Sequence, residues 1–101
     1  MADPAKPPEL DPVVHGQLRL AVMSLLAVVD EGDFKWLRQK TGSTDGNLGA
    51  NLAKLEEVRY IKAKKRFLGK KPNTIYKLTP EGRKAFVTYI QDLKKLLASA
   101  L

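Results

Sequence analysis

The sequence predicts a mainly α domain carrying a small β-hairpin, and three observations predict it. Up to Leu55 the apolar residues recur at three- and four-residue spacing, as amphipathic helices require. From Tyr60 to Leu78 the pattern becomes two short runs with β-branched and aromatic content around a cluster of turn residues. After Thr79-Pro80-Glu81 the helical spacing returns. A chain of 101 residues makes one domain the default. We expect an arm over 1–10 and the folded domain over 11–101.

Residues 1–10 hold three of the six prolines and little apolar content, which predicts a flexible Pro-rich arm. Asp11-Pro12 predicts a helix start, with Asp11 as N-cap and Pro12 at the first helical position. Val14, Leu18, Val22, Leu25, Leu26 and Val29 form one apolar side of this helix, and Leu20, Met23 and Ala27 the other. A helix apolar on two sides is covered on two sides, and a second subunit is a plausible cover.

Asp30-Glu31-Gly32 ends the first helix. Asp33 can cap a short second helix anchored by Phe34, Trp36 and Leu37, and Gly42 stops it. Trp36 is expected to pack rather than to hold a ligand. Ser43 or Thr44 can cap a third helix whose buried stripe is Leu48, Leu52 and Leu55. Helix, Gly-containing turn, helix is the helix-turn-helix arrangement.

Tyr60–Lys64 predicts one strand and Thr74–Leu78 another. The breakers Gly69, Pro72 and Asn73 suggest a long loop at the tip rather than a two-residue turn. The hairpin spans about 60–78. Thr79-Pro80-Glu81 then starts the last helix, about 80–98, with a Thr cap and an acid in the first turn. Phe86, Ile90, Leu93 and Leu97 make a coiled-coil seam only about two heptads long, flanked by Tyr89 and Leu96.

The composition narrows the function. Hydrophobic residues make up 44%, ordinary for a globular protein. The absence of cysteine excludes a disulfide scaffold and a thiolate metal site, and His15 is the one histidine. We therefore expect no metal, no cofactor and no catalytic residue, because no nucleophile–base–orienter set can be assembled. No apolar run approaches a membrane span, and the N-terminus shows no signal segment, so a cytoplasmic location without membrane contact is expected.

The formal net charge is +7, and its distribution is uneven. Between Val58 and Pro80 lie eight basic residues and no acidic one, while the rest of the chain carries ten basic against eleven acidic residues. Such a cluster predicts a polyanionic partner, nucleic acid before an acidic membrane surface.

Two motifs resemble a known family. Thr41-Gly42-Ser43-Thr44-Asp45-Gly46-Asn47-Leu48, followed by Leu52 and Leu55-Glu56-Glu57, resembles the recognition-helix signature of single-domain MarR-like and ArsR-like regulators. Arg66-Phe67-Leu68-Gly69-Lys70-Lys71-Pro72, with Thr74, Tyr76 and Leu78-Thr79-Pro80-Glu81-Gly82, resembles their wing and the start of the next helix. The resemblance covers roughly residues 12–97. It implies a winged helix-turn-helix fold and a homodimer that binds a pseudo-palindromic operator as a transcriptional regulator. The third helix would enter the major groove, the wing would reach an adjacent minor groove or backbone, and the terminal helices would form the dimer interface. Metal-sensing ArsR-like members use Cys or several His ligands, which this chain lacks.

With the Leu stripe inward, about 100° per residue turns Gly46, Asn47, Ala50, Ala53, Lys54 and Glu57 outward and leaves Asn51 at the boundary. Gly46 and Ala50 let the backbone approach bases. Asn47 and Asn51 suit bidentate pairing with adenine, and Ala50 suits a thymine methyl. Lys54, Ser43 and Thr44 suit phosphates. In the wing the candidates are Lys64, Lys65, Arg66, Lys70 and Lys71, with Lys64 and Arg66 on one face and Lys65 on the other. Lysine favours phosphate contacts over base readout. The expected dimer interface is Leu20, Met23, Ala27, Phe86, Tyr89, Ile90, Leu93, Leu96 and Leu97. His15 is expected on the surface or at that interface. The expected partners are double-stranded DNA and a second copy, with room for a small-molecule effector that no residue set names. The alternative is a winged-helix protein-interaction module with an acidic protein partner.

Overall fold

A computed structural model describes residues 7–100. The order is α1 (Gln17–Val28), β1 (Gly32–Asp33), α2 (Phe34–Thr41), α3 (Asp45–Glu57), β2 (Ile61–Leu68), β3 (Lys71–Leu78) and α4 (Pro80–Ala100). The strands form one antiparallel sheet in the order β1-β3-β2. This is mainly α with a small β wing, as the change of period predicts.

The first helix begins later than expected. Asp11 Oδ1 accepts from the backbone N–H of Val13 and Val14, so it caps a turn. Gly16 then takes an extended conformation, φ −135° and ψ 130°, and α1 starts at Gln17. The local capping signal at Asp11-Pro12 is therefore genuine but produces only one turn. Residues 1–6 of the expected arm lie outside the described residues, and Leu10 already packs against the core.

The caps of α2 and α3 follow the sequence. Asp33 Oδ1 accepts from Trp36 N at 2.8 Å, and Thr44 Oγ1 accepts from Asn47 N at 3.2 Å. Gly42 ends α2 with φ 65°, a left-handed conformation that glycine adopts without a Cβ clash. The end of α3 carries no such signal. Tyr60 N donates to Leu55 O and Arg59 N to Glu56 O, a Schellman arrangement with Arg59 at φ 63° in the place where glycine is usual.

The wing differs from expectation at its tip. Leu68 pairs with Lys71, so only Gly69 and Lys70 turn the chain. Gly69 takes φ 66° at the first turn position, where two-residue hairpins favour glycine. Pro72 and Asn73 therefore belong to β3. Pro72 is tolerated because β1 pairs only with Ile75 and Tyr76, leaving the Pro72 end of β3 on an edge. The two-residue β1 was not legible, since two residues carry no period.

The core gathers Val14, Val22, Met23, Leu26, Leu37, the α3 stripe of Leu48, Leu52 and Leu55, then Ile61, Tyr76 and Tyr89. Each buried aliphatic side chain contributes about 1.5–3 kcal/mol. Two expected interface residues thus belong to the protomer itself. Met23 is 0% and Tyr89 3% exposed, because α4 covers part of the second apolar side of α1. Tyr89 Oη also bonds His15 Nδ1 at 2.8 Å, which anchors α4 to the turn before α1. Trp36 packs against the core, with Gly32 beneath its ring.

Candidate nucleic-acid interface

The outer face of α3 is built by elimination. Leu48, Leu52 and Leu55 bury one side. Gly46, Asn47, Ala50, Ala53, Lys54 and Glu57 are exposed on the other, and Asn51 is half-buried between them. Asp45, an anion in the first turn, suits the helix dipole and pairs with Arg38 at 2.9 Å.

The two hydroxyls before α3 are not equivalent. Thr41 Oγ1 donates to Leu37 O at 2.7 Å, so its one proton is occupied and Ser43 Oγ must donate to it at 2.8 Å. Ser43 is directed inward. Thr44 Oγ1 accepts from Asn47 N, which leaves its own proton available for an outside acceptor.

Asn51 is also engaged. Its Oδ1 accepts from Arg19 Nη1 at 2.8 Å, and its Nδ2 donates to Asn47 O at 2.8 Å and Asn47 Oδ1 at 3.1 Å. A two-point contact from Asn51 to adenine would require breaking these bonds. Arg19 was missed by the sequence reasoning. The available signal was its isolation, as the one charged residue in α1. On a helix apolar on two sides, a lone cation falls where it is partly buried, and a buried charge needs a partner. Arg19, Asn47 and Asn51 border a polar cleft of about 470 Å³ with Gly16, Thr41 and Ser43.

The register of β2 with β3 sorts the wing by face. Ile61 and Tyr76 point to the core, so Lys65 and Phe67 follow on that side beyond it. Lys62, Lys64, Arg66, Lys71 and Lys77 share the opposite side, with Lys70 in the turn. Lys64, Lys65, Lys70 and Lys71 are exposed. Arg66 is less free, since its Nη1 meets Glu31 Oε1 at 3.1 Å. At the tip Phe67 is 71% exposed between these cations.

On another side, a groove of about 550 Å³ runs between the segment Glu9–Pro12 and α4, lined also by Tyr60. Tyr60 Oη donates to Asp11 Oδ2 at 2.6 Å. That hydrogen bond, then burial and the charges of Asp11 and Glu81, push the phenol up to about 12. Among the described residues no helix is long and apolar enough to cross a membrane.

A helix-turn-helix whose second helix exposes a small, amide-bearing face, followed by a basic hairpin, is the architecture of a winged helix. The sequence pattern of the winged helix DNA-binding domain family matches residues 18–97, and the chain belongs to that family. It is 34% identical to an uncharacterized protein of Methanocaldococcus jannaschii over 84 residues, which span 83% of this chain and 91% of that one. Its fold matches a transcriptional regulator homologue from Pyrococcus horikoshii OT3 with a TM-score of 0.80 at 22% identity, covering 87% of each chain. A MarR-family regulator from Enterococcus faecalis V583 superimposes with a TM-score of 0.69 at 21% identity, over 87% of this chain and 81% of that one.

Proposed function

We propose that this protein is a homodimeric, sequence-specific DNA-binding transcriptional regulator. The observation that carries the proposal is the joint exposure of Gly46, Asn47, Ala50 and Lys54 on one face of α3. Gly46 and Ala50 admit the α3 backbone to the major groove, and Asn47 reads a base edge there. Lys54 and the Thr44 hydroxyl meet phosphates. The wing lysines lie along an adjacent minor groove or the backbone, where they add charge and register rather than sequence readout.

The apolar surface left on the terminal helices supports the dimer. Leu20, Ala27, Phe86, Ile90, Leu93 and Leu96 are only half-buried in the protomer, and Leu97 is 51% exposed. A two-fold axis through these residues presents two copies of α3 to half-sites about one helical turn apart.

Fluorescence anisotropy with the protein's own upstream DNA and a scrambled duplex, at several salt concentrations, tests this. Selective binding with a steep salt slope is expected. Equal affinity for both duplexes sinks sequence specificity. No binding at low salt sinks the DNA partner and favours an acidic protein bound by the same basic wing.

A further inference from the structure

We propose that Arg19 decides what kind of base edge the recognition helix accepts: through Asn51 it turns the Asn47 amide so that its NH2 group faces outward. The base opposite Asn47 must then offer a hydrogen-bond acceptor. This inference rests on the DNA-binding reading and specifies its base readout.

The chain of bonds runs one way. A guanidinium only donates, so the atom of Asn51 that meets Arg19 Nη1 at 2.8 Å must be the amide oxygen. The Asn51 NH2 is thereby aimed along the helix at Asn47. It donates to the Asn47 carbonyl at 2.8 Å and to the side-chain oxygen at 3.1 Å. That oxygen is held facing Asn51, and Asn47 Nδ2 lies at the other end of a planar amide. Asn47 is exposed, and its Nδ2 makes no hydrogen bond among the described residues. Flipping Asn47 would set its NH2 against that of Asn51, which then loses its side-chain acceptor and keeps only the Asn47 carbonyl.

Arg19 is itself held in place. Its Nε donates to Val13 O at 2.6 Å, on the turn before α1. Its guanidinium lies over Gly16, where a Cβ would stand 2.6 Å from Arg19 Cζ. Gly16 is therefore the space Arg19 occupies. It has an extended φ of −135° that any residue can adopt, so alanine there introduces a side chain without backbone strain.

In the major groove guanine offers N7 and O6, adenine N7 and thymine O4, whereas cytosine offers only its amino donor. Cytosine opposite Asn47 is thus the base this geometry rejects. Asn47 makes a one-point donor contact in place of the two-point adenine pair that sequence alone allowed.

Binding sites selected from a random duplex library by the wild type, Arg19→Met, Gly16→Ala and Asn51→Asp test the inference, with thermal melts confirming that each folds. The wild type is expected to disfavour cytosine by about fivefold or more at one position of each half-site, the lower end of what one good base contact supplies. Arg19→Met frees the Asn51 amide and should abolish that discrimination while other positions keep theirs. Gly16→Ala should do the same with the arginine still present. Asn51→Asp can accept but not donate towards Asn47. It should turn the Asn47 NH2 inward and shift the preference to bases with an amino donor, at lower overall affinity. A wild type that selects no motif overturns the regulator reading and this inference with it. A selected motif that all three variants reproduce, or that they weaken equally at every position, overturns this inference alone.

Discussion

Gly82 of α4 packs so closely on the Tyr60 peptide that a Cβ added to it would lie 2.7 Å from the Tyr60 carbonyl carbon. Thr79 tightens the same junction, its N–H donating to Tyr60 O at 3.0 Å and its hydroxyl to Arg59 O at 2.6 Å. Backbone cannot yield as a flexible side chain can, so Gly82→Ala should destabilise by about 1–3 kcal/mol. Gly49, with nothing within 4 Å of its would-be Cβ, is the control. Gly49→Ala should gain about 0.5–1 kcal/mol from helix propensity. Urea denaturation midpoints of both variants check the pair.

Arg59 holds the left-handed position at the end of α3 with φ 63°. A side chain there costs about 1–2 kcal/mol relative to glycine, and glycine returns part of that through its freer unfolded chain. Arg59→Gly should therefore raise stability modestly, by up to about 1 kcal/mol. An unchanged or lower melting temperature would show that the arginine side chain compensates by contacts of its own.

Tyr60 gives the protein an alkaline limit. Its phenol is pushed up to about 12 in the folded state from the ordinary tyrosine value of 10.0, chiefly because it donates to the Asp11 carboxylate. The folded state therefore holds the proton more tightly than the unfolded one. The resulting stability is fully present below pH 10 and is lost as pH rises towards 12. Tyr60→Phe should remove that part of the alkaline slope and cost about 1 kcal/mol near neutrality. Thermal melts of both proteins across that range, with tyrosinate absorbance, provide the measurement.

Lys70 and Lys71 sit at the wing tip with no acid nearby in β2, β3 or the turn. If both meet phosphates, Lys70→Ala with Lys71→Ala should lower the slope of log K against log salt by about 0.9 per lost contact. Sequence preference should be retained, since these lysines supply charge. An unaltered slope would place the wing tip off the DNA.

Leu97 is 51% exposed near the end of α4, and Leu93 one turn earlier is half-buried. In the proposed dimer, Leu97→Glu buries a charge at the interface. Sedimentation equilibrium should then report a monomer whose helical circular dichroism is retained. A dimer that persists would move the interface off the C-terminal half of α4.

The helices that build the core were legible because each carries its own period. Leu48, Leu52 and Leu55 announce the buried side of α3, and Asp33 and Thr44 announce the helix starts by local bonds to residues three places on. The same locality misled at Asp11, whose cap is satisfied by a single turn, and at the wing, where Pro72 and Asn73 read as loop but pair with Phe67 and Arg66. Strand pairing is a relation between distant residues, and turn chemistry near it is ambiguous until the register is known.

The candidate contact face divides in the same way. Which residues of α3 point outward follows from helical geometry, and the concentration of charge between Val58 and Pro80 is visible in the sequence. What those residues are free to do depends on partners far along the chain. Arg19 holds Asn51 across 32 positions, Glu31 holds Arg66 across 35, and Tyr89 meets His15 across 74. Periodicity and capping are short-range, so one chain segment suffices to read them. The orientation of an amide and the availability of a cation are set by side chains that only folding brings within hydrogen-bond distance.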